Sequence, residues 1–82
     1  MSILAKKRTL LELRSELCMS QEKLAAESSV SQTSISRVES GFSISKGHEL
    51  RLLFSLNRLR KQRGFDELTL DDIAWPEKGT KA

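Results

Sequence analysis

Apolar positions recur along this chain at three- and four-residue intervals, the period of a helix with one buried side. Leu10, Leu13 and Leu17 mark a first helix over roughly 6–17, with good helix formers between them. Ser20 suits the N-cap of a second helix about two turns long, where Leu24 and Ala25 make one apolar edge and small Ala25 and Ala26 allow close helix approach. Val30 interrupts a polar stretch, Ser31 caps a third helix beginning at Gln32, and Gly41 offers its stop. The longest pattern runs from about Gly47 to Arg63, capped by Ser45 and stopped at Gly64. It carries two apolar stripes on nearly opposite faces, one through Leu50, Leu53 and Phe54 and one through Leu52, Leu56 and Leu59. Leu68, Leu70, Ile73 and Trp75 are too closely spaced for a free tail. Thr69 with Asp72 forms a capping box for a short last helix ending before Pro76, with a strand over 67–70 as the competing assignment. Disorder is expected from Glu77 onward.

At about 100° per residue, Ile35 and Val38 fall on one side of the third helix, and Gln32, Thr33, Ser36 and Arg37 share the opposite arc. That arc consists of hydrogen-bonding groups only. A glutamine amide can pair with the N6/N7 edge of adenine and an arginine fork with the O6/N7 edge of guanine, while short Thr and Ser keep a helix close to the groove. A merely solvated face has a similar composition, so the face alone does not decide between the two; the tandem arrangement of short helices favours reading of bases.

The run from Met19 to Gly41 resembles the helix-turn-helix motif of the phage-repressor/Cro, or Xre, family, L-[ST]-Q-x-x-L-A-x-x-x-G-V-[ST]-x-x-x-I-S-x-x-E-x-G. Met19, Ser20, Gln21, Leu24, Ala25, Val30, Ser31, Ile35, Ser36, Glu39 and Gly41 stand at matching positions without a gap. The resemblance implies an all-α, lambda-repressor-like helix-turn-helix bundle of four to five helices that binds double-stranded DNA. Gln32, Thr33, Ser36 and Arg37 would contact bases. Gln21, Ser31, Ser43, Ser45 and Lys46 would contact the backbone, with Gln21 also bracing Gln32. Arg14 and Glu39 occupy positions that form an ion pair between the first and recognition helices in some members. Two departures stand out in the turn. Ser28 replaces an apolar residue, and Ser29 replaces a glycine that takes φ > 0 without strain, so either a strained or a locally different turn is expected. The loop after the recognition helix has Lys46 as its one basic residue, so phosphate affinity would lean on hydroxyls, backbone amides and a helix N-terminus. Cys18 stands where the family often has glycine.

Eighty-two residues at 38% apolar content suit one helical core and not two. One cysteine rules out an internal disulfide, and one histidine leaves no Cys/His set for structural zinc, so neither metal nor cofactor is expected. No run approaches the roughly 18 apolar residues of a membrane span, and Ile3-Leu4-Ala5 precedes Lys6-Lys7-Arg8, the reverse of a signal peptide; a cytoplasmic protein is expected. Residues 1–64 carry twelve Lys/Arg against six Asp/Glu, and residues 65–82 two against five. A basic body with an acidic end suits a nucleic-acid binder. No nucleophile has an activating partner and no Gly-rich phosphate loop is present, which argues against an enzyme.

The domain organisation expected is a DNA-binding unit over 1–64, a dimerisation or partner-binding segment over 65–76 and a disordered tail over 77–82. Leu52, Leu56, Leu59 and Trp75 are the expected dimer interface. A homodimeric repressor on a palindromic operator is the leading reading. The alternatives are an autoregulating HipB-like antitoxin, whose 65–75 segment would hold a toxin, and an interaction module no longer binding DNA.

Overall fold

The computed structural model describes residues 7–76. Among the described residues four α-helices follow one another, α1 Leu10–Glu16, α2 Gln21–Ser28, α3 Gln32–Glu39 and α4 Lys46–Gln62, and a 3-10 turn covers Leu70–Asp72. Each helix opens on a hydroxyl cap: the side-chain oxygens of Thr9, Ser20, Ser31 and Ser45 accept from the N–H groups of Glu12, Lys23, Ser34 and His48. The first helix therefore starts at Leu10 and not near Lys6. Thr9 and Glu12 close a capping box there, while the Arg8 backbone pairs with Ile73 in an isolated parallel bridge. Lys6 and the tail from Glu77 lie outside the described residues.

Three helices end alike. Cys18, Gly41 and Gly64 take φ of 56°, 100° and 80°, and the next N–H turns back to a carbonyl five residues earlier: Met19 to Arg14 at 3.1 Å, Phe42 to Arg37 at 2.8 Å, Phe65 to Arg60 at 2.9 Å. This double-bonded ending satisfies carbonyls that a helix terminus otherwise leaves open. Between α2 and α3 the strained alternative is the one adopted, with Ser29 left-handed at φ 61°, ψ 24°. A left-handed non-glycine residue costs about 1–2 kcal/mol. Neighbouring contacts hold it in place: the buried Ser28 hydroxyl accepts from the Val30 N–H at 3.2 Å, and Ser55 of α4 donates to the Glu27 carbonyl at 3.1 Å. A serine thus sits where the family motif has an apolar residue without leaving a polar group unpaired.

Leu10, Leu13, Leu17, Leu24, Val30, Ile35, Val38, Leu52, Leu53, Leu56, Leu68 and Ile73 form one core. Its composition corrects the reading of α4. Leu52 and Leu56 are 0% exposed, whereas Phe54, expected on the inward stripe, is 66% exposed. The inward arc runs through Glu49, Leu52, Leu53, Leu56 and Arg60, all buried. Leu52 and Leu56 therefore have no surface to offer a second subunit, and Leu59 and Trp75 are half-buried against the same core.

The chain's own C-terminal segment packs into this core through Leu68 and Ile73 and carries no strand over 67–70. Asn57 grips Leu68 with two 2.8 Å hydrogen bonds, its amide donating to the Leu68 carbonyl and its oxygen accepting the Leu68 N–H. Arg60, 3% exposed, donates from Nε to the Asp66 carbonyl at 2.8 Å and from Nη1 to Glu16. At the far end the Ala74 N–H donates to the Arg8 carbonyl at 2.8 Å. Residues 65–76 are thereby latched to α4 and to Arg8 just before α1, and Leu68 and Ile73 complete the core instead of forming a separate contact segment.

Candidate nucleic-acid interface

With Ile35 and Val38 turned into the core, α3 leaves Gln32, Thr33, Ser36 and Arg37 exposed together. These four and Gln21 of α2 line one shallow depression of about 280 Å³. The residues that α3 and the start of α2 were expected to present to DNA are thus contiguous. Ser31 and Ser45 serve as helix caps, with Ser31 also donating to the Ser34 hydroxyl at 3.1 Å. Ser43 is half-buried, and the Lys46 ammonium lies 4.0 Å from the Glu49 carboxylate within the first turn of α4.

Beneath the depression runs a hydrogen-bonded chain that fixes α3 against α1 and α2. Arg14 donates to Glu39 through Nε at 2.7 Å and through its terminal nitrogen at 2.9 Å, and its third donor reaches the Met19 carbonyl at 2.7 Å. Gln21 donates to the same Glu39 carboxylate at 2.8 Å, and the Gln32 amide donates to the Gln21 oxygen at 3.4 Å. The expected Arg14–Glu39 pair and the Gln21–Gln32 brace are therefore parts of a single network. Burial pushes the Glu39 carboxyl up, but hydrogen bonds from Arg14 and Gln21 and the Arg14 charge outweigh it, so its pKa lies below the usual glutamate value. The hydrogen bond to Glu39 raises Arg14 further above its already high value. The pair is a fixed charge couple at neutral pH, holding one end of α3.

Residues 10–55, more than half of the chain, match the model of the helix-turn-helix family. The chain belongs to that family. Its four helices form the all-α bundle of the Xre type, and it carries the domain of a DNA-binding transcriptional regulator. Among curated proteins and solved structures nothing matches this helix-turn-helix chain significantly. Among the described residues no helix is long and apolar enough to cross a membrane.

Three residues of this helix-turn-helix chain carry structural roles that periodicity does not disclose. Asn57 and Arg60 latch the C-terminal segment, and Phe42 lies with its ring 5.0 Å from the Arg37 guanidinium carbon. A spacing signal exists for two of them. Arg-x-x-x-Gly-Phe occurs at 37–42 and again at 60–65, and in each copy the arginine stacks on the phenylalanine, at 5.0 and 5.3 Å.

Proposed function

We propose that the chain is a sequence-specific transcriptional regulator that reads the major groove with Gln32, Thr33, Ser36 and Arg37 and acts as a homodimeric repressor on a palindromic operator. The observation that carries this reading is the contiguous exposed face of α3. Its four polar side chains surround one depression with Gln21, and among the described residues Arg37 pairs with no carboxylate that would neutralise it. Gln21, Ser31, Ser43, Ser45 and Lys46 contact the sugar-phosphate backbone on either side and set the register.

One recognition helix reads only a few base pairs, and a two-fold pair places two such helices about 34 Å apart on one side of the duplex. Since the Leu52–Leu56 stripe is filled from within the chain, the surface for a second copy is the groove of about 530 Å³ between Phe54 and Phe65. Lys61 lies on its rim with Asp66 and Glu67, so a two-fold axis can set the basic group of one copy against the acidic pair of the other. The antitoxin alternative draws less support, because Leu68 and Ile73 of the segment that would hold a toxin are buried in the chain's own core.

Titration of operator and random duplexes over a salt series tests the reading. Gln32→Ala or Arg37→Ala should cost roughly 1–3 kcal/mol on the operator and relax preference at one position, leaving random-sequence binding nearly unchanged. With Lys46 alone in the loop, the salt slope should be shallow for its class, at about 0.9 per phosphate neutralised. Equal losses on both duplexes, or binding indifferent to salt, would contradict direct readout.

A further inference from the structure

Three helices of this chain end in the same backbone turn with an arginine at the same place, and the three arginines are engaged differently. Arg14 at the end of α1 is committed to Glu39 and the Met19 carbonyl, and Arg60 at the end of α4 to Glu16 and the Asp66 carbonyl. Arg37 at the end of α3 makes no side-chain hydrogen bond or ion pair to the described residues. Its one specific contact is the face of Phe42. Gly41, at φ 100°, makes that contact possible, since the reversal it allows carries Phe42 back over the last turn of α3, where the Phe42 N–H bonds the Arg37 carbonyl at 2.8 Å.

A guanidinium stacked on a ring is constrained in plane and direction while its N–H edge stays free, because the ring engages the π face and the donors lie in the plane. Phe42 is 54% exposed against 38% for Phe65, and its ring lies over the Arg37 guanidinium. The second copy of the motif shows what the closing role looks like: there Arg60 is buried and Phe65 lies over an arginine already fixed by a carboxylate. At Arg37 nothing else fixes the side chain, and its donors face solvent beside Gln32, Thr33 and Ser36.

We propose that Phe42 is a positioning residue for base reading, its ring holding the Arg37 guanidinium in the orientation that meets a guanine edge. This rests on the DNA-reading role of α3 proposed above. The pair forms a second brace at the C-terminal end of the reading face, as Gln21 braces Gln32 at its N-terminal end. Without the ring, a long arginine side chain would have to be ordered at the moment of binding, weakening the base-specific part of affinity and sparing the backbone part.

The test is a double-mutant cycle of Phe42→Leu and Arg37→Ala, measured on the selected operator, on operators substituted at the guanine contacted by Arg37, and on random duplex, with thermal melting as a control for folding. An exposed cation–π contact is equivalent to about a two- to five-fold change in binding. Phe42→Leu should lose that factor on the operator, lose the same factor of discrimination at the guanine, and leave random binding unchanged, with the protein still folded and its melting temperature lowered by no more than the few degrees that loss of the same contact costs the free chain. Phe42→Trp should restore it, and in the Arg37→Ala background Phe42→Leu should have no further effect. An operator loss that persists in the Arg37→Ala background, or one matched on random DNA, overturns the positioning role. A sequence preference that survives Phe42→Leu intact refutes this role alone, whereas a protein with no sequence preference refutes base reading and this role with it.

Discussion

Removing Arg14 should destabilise the fold substantially, because it strands a partly buried carboxylate. The three Arg14 donors lie 2.7–2.9 Å from Glu39 and the Met19 carbonyl, and the two charged side chains are only 15% and 8% exposed. Arg14→Leu leaves the Glu39 carboxylate with Gln21 as its remaining donor in a site with little water. Breaking a fully buried pair from one side costs about 3–5 kcal/mol. The residual exposure here places the expected loss near the bottom of that range, about 3 kcal/mol. In urea, with a denaturant slope of about 1–1.5 kcal/mol/M for a domain of this size, the unfolding midpoint should fall by about 2–3 M. Arg14→Leu combined with Glu39→Met removes both charges and should recover most of the loss, since apolar replacement of a buried pair is often nearly neutral. The pH dependence gives an independent check. Because the folded Glu39 carboxyl titrates below the unfolded value of about 4.3, its contribution is complete above that pH and is lost as pH falls through the folded pKa. Glu39→Gln should flatten the acid limb of the stability curve. A shift under about 0.5 kcal/mol for Arg14→Leu, or a double variant no more stable than the single one, would refute the claim that the pair holds α3 to α1.

Ser29→Gly should stabilise the protein: relief of about 1–2 kcal/mol of left-handed strain exceeds the 0.5–1 kcal/mol entropic penalty of glycine, so a net gain of about 0.5–1 kcal/mol should raise the melting temperature by roughly 2–8 °C, and a fall would show that the serine side chain is needed in the turn. Leu56→Glu and Phe54→Glu should separate core from interface: the first should abolish cooperative folding in circular dichroism, because it places a charge at a fully enclosed position, and the second should leave a folded monomer by sedimentation. A folded Leu56→Glu monomer would restore the leucine stripe as the dimer contact.

Most of the frame was legible because it rests on local rules. Ser20, Ser31 and Ser45 cap where hydroxyls precede periodic runs, Gly41 and Gly64 stop helices where a positive φ is needed, and Thr69 with Asp72 turns the chain as a capping box. The exposed polar face of α3 followed from its 3.6-residue period, and the Arg14–Glu39 and Gln21–Gln32 contacts followed from the family resemblance. The error on α4 has a specific cause. Two stripes of comparable hydrophobicity leave the inward face undecided, and the choice depends on where residues 65–76 return, which Asn57 and Arg60 fix through backbone carbonyls that no side-chain pattern encodes. The buried arc also includes Glu49, Ser55 and Arg60, so a purely apolar criterion undercounts it. The stacking of Arg37 on Phe42 was missed for a related reason. Its signal is a repeated spacing through a left-handed glycine, not a periodicity along a helix.

Selection of the purified protein against a random double-stranded DNA library, followed by sequencing, tests the central claim most directly. Reading by the exposed face of α3 in a two-fold dimer predicts an enriched palindrome with half-site centres about one helical turn apart, and a guanine in each half-site whose preference disappears in the Arg37→Ala protein. Absence of any enriched sequence, or the same sequence enriched by a protein carrying both Gln32→Ala and Arg37→Ala, would contradict it.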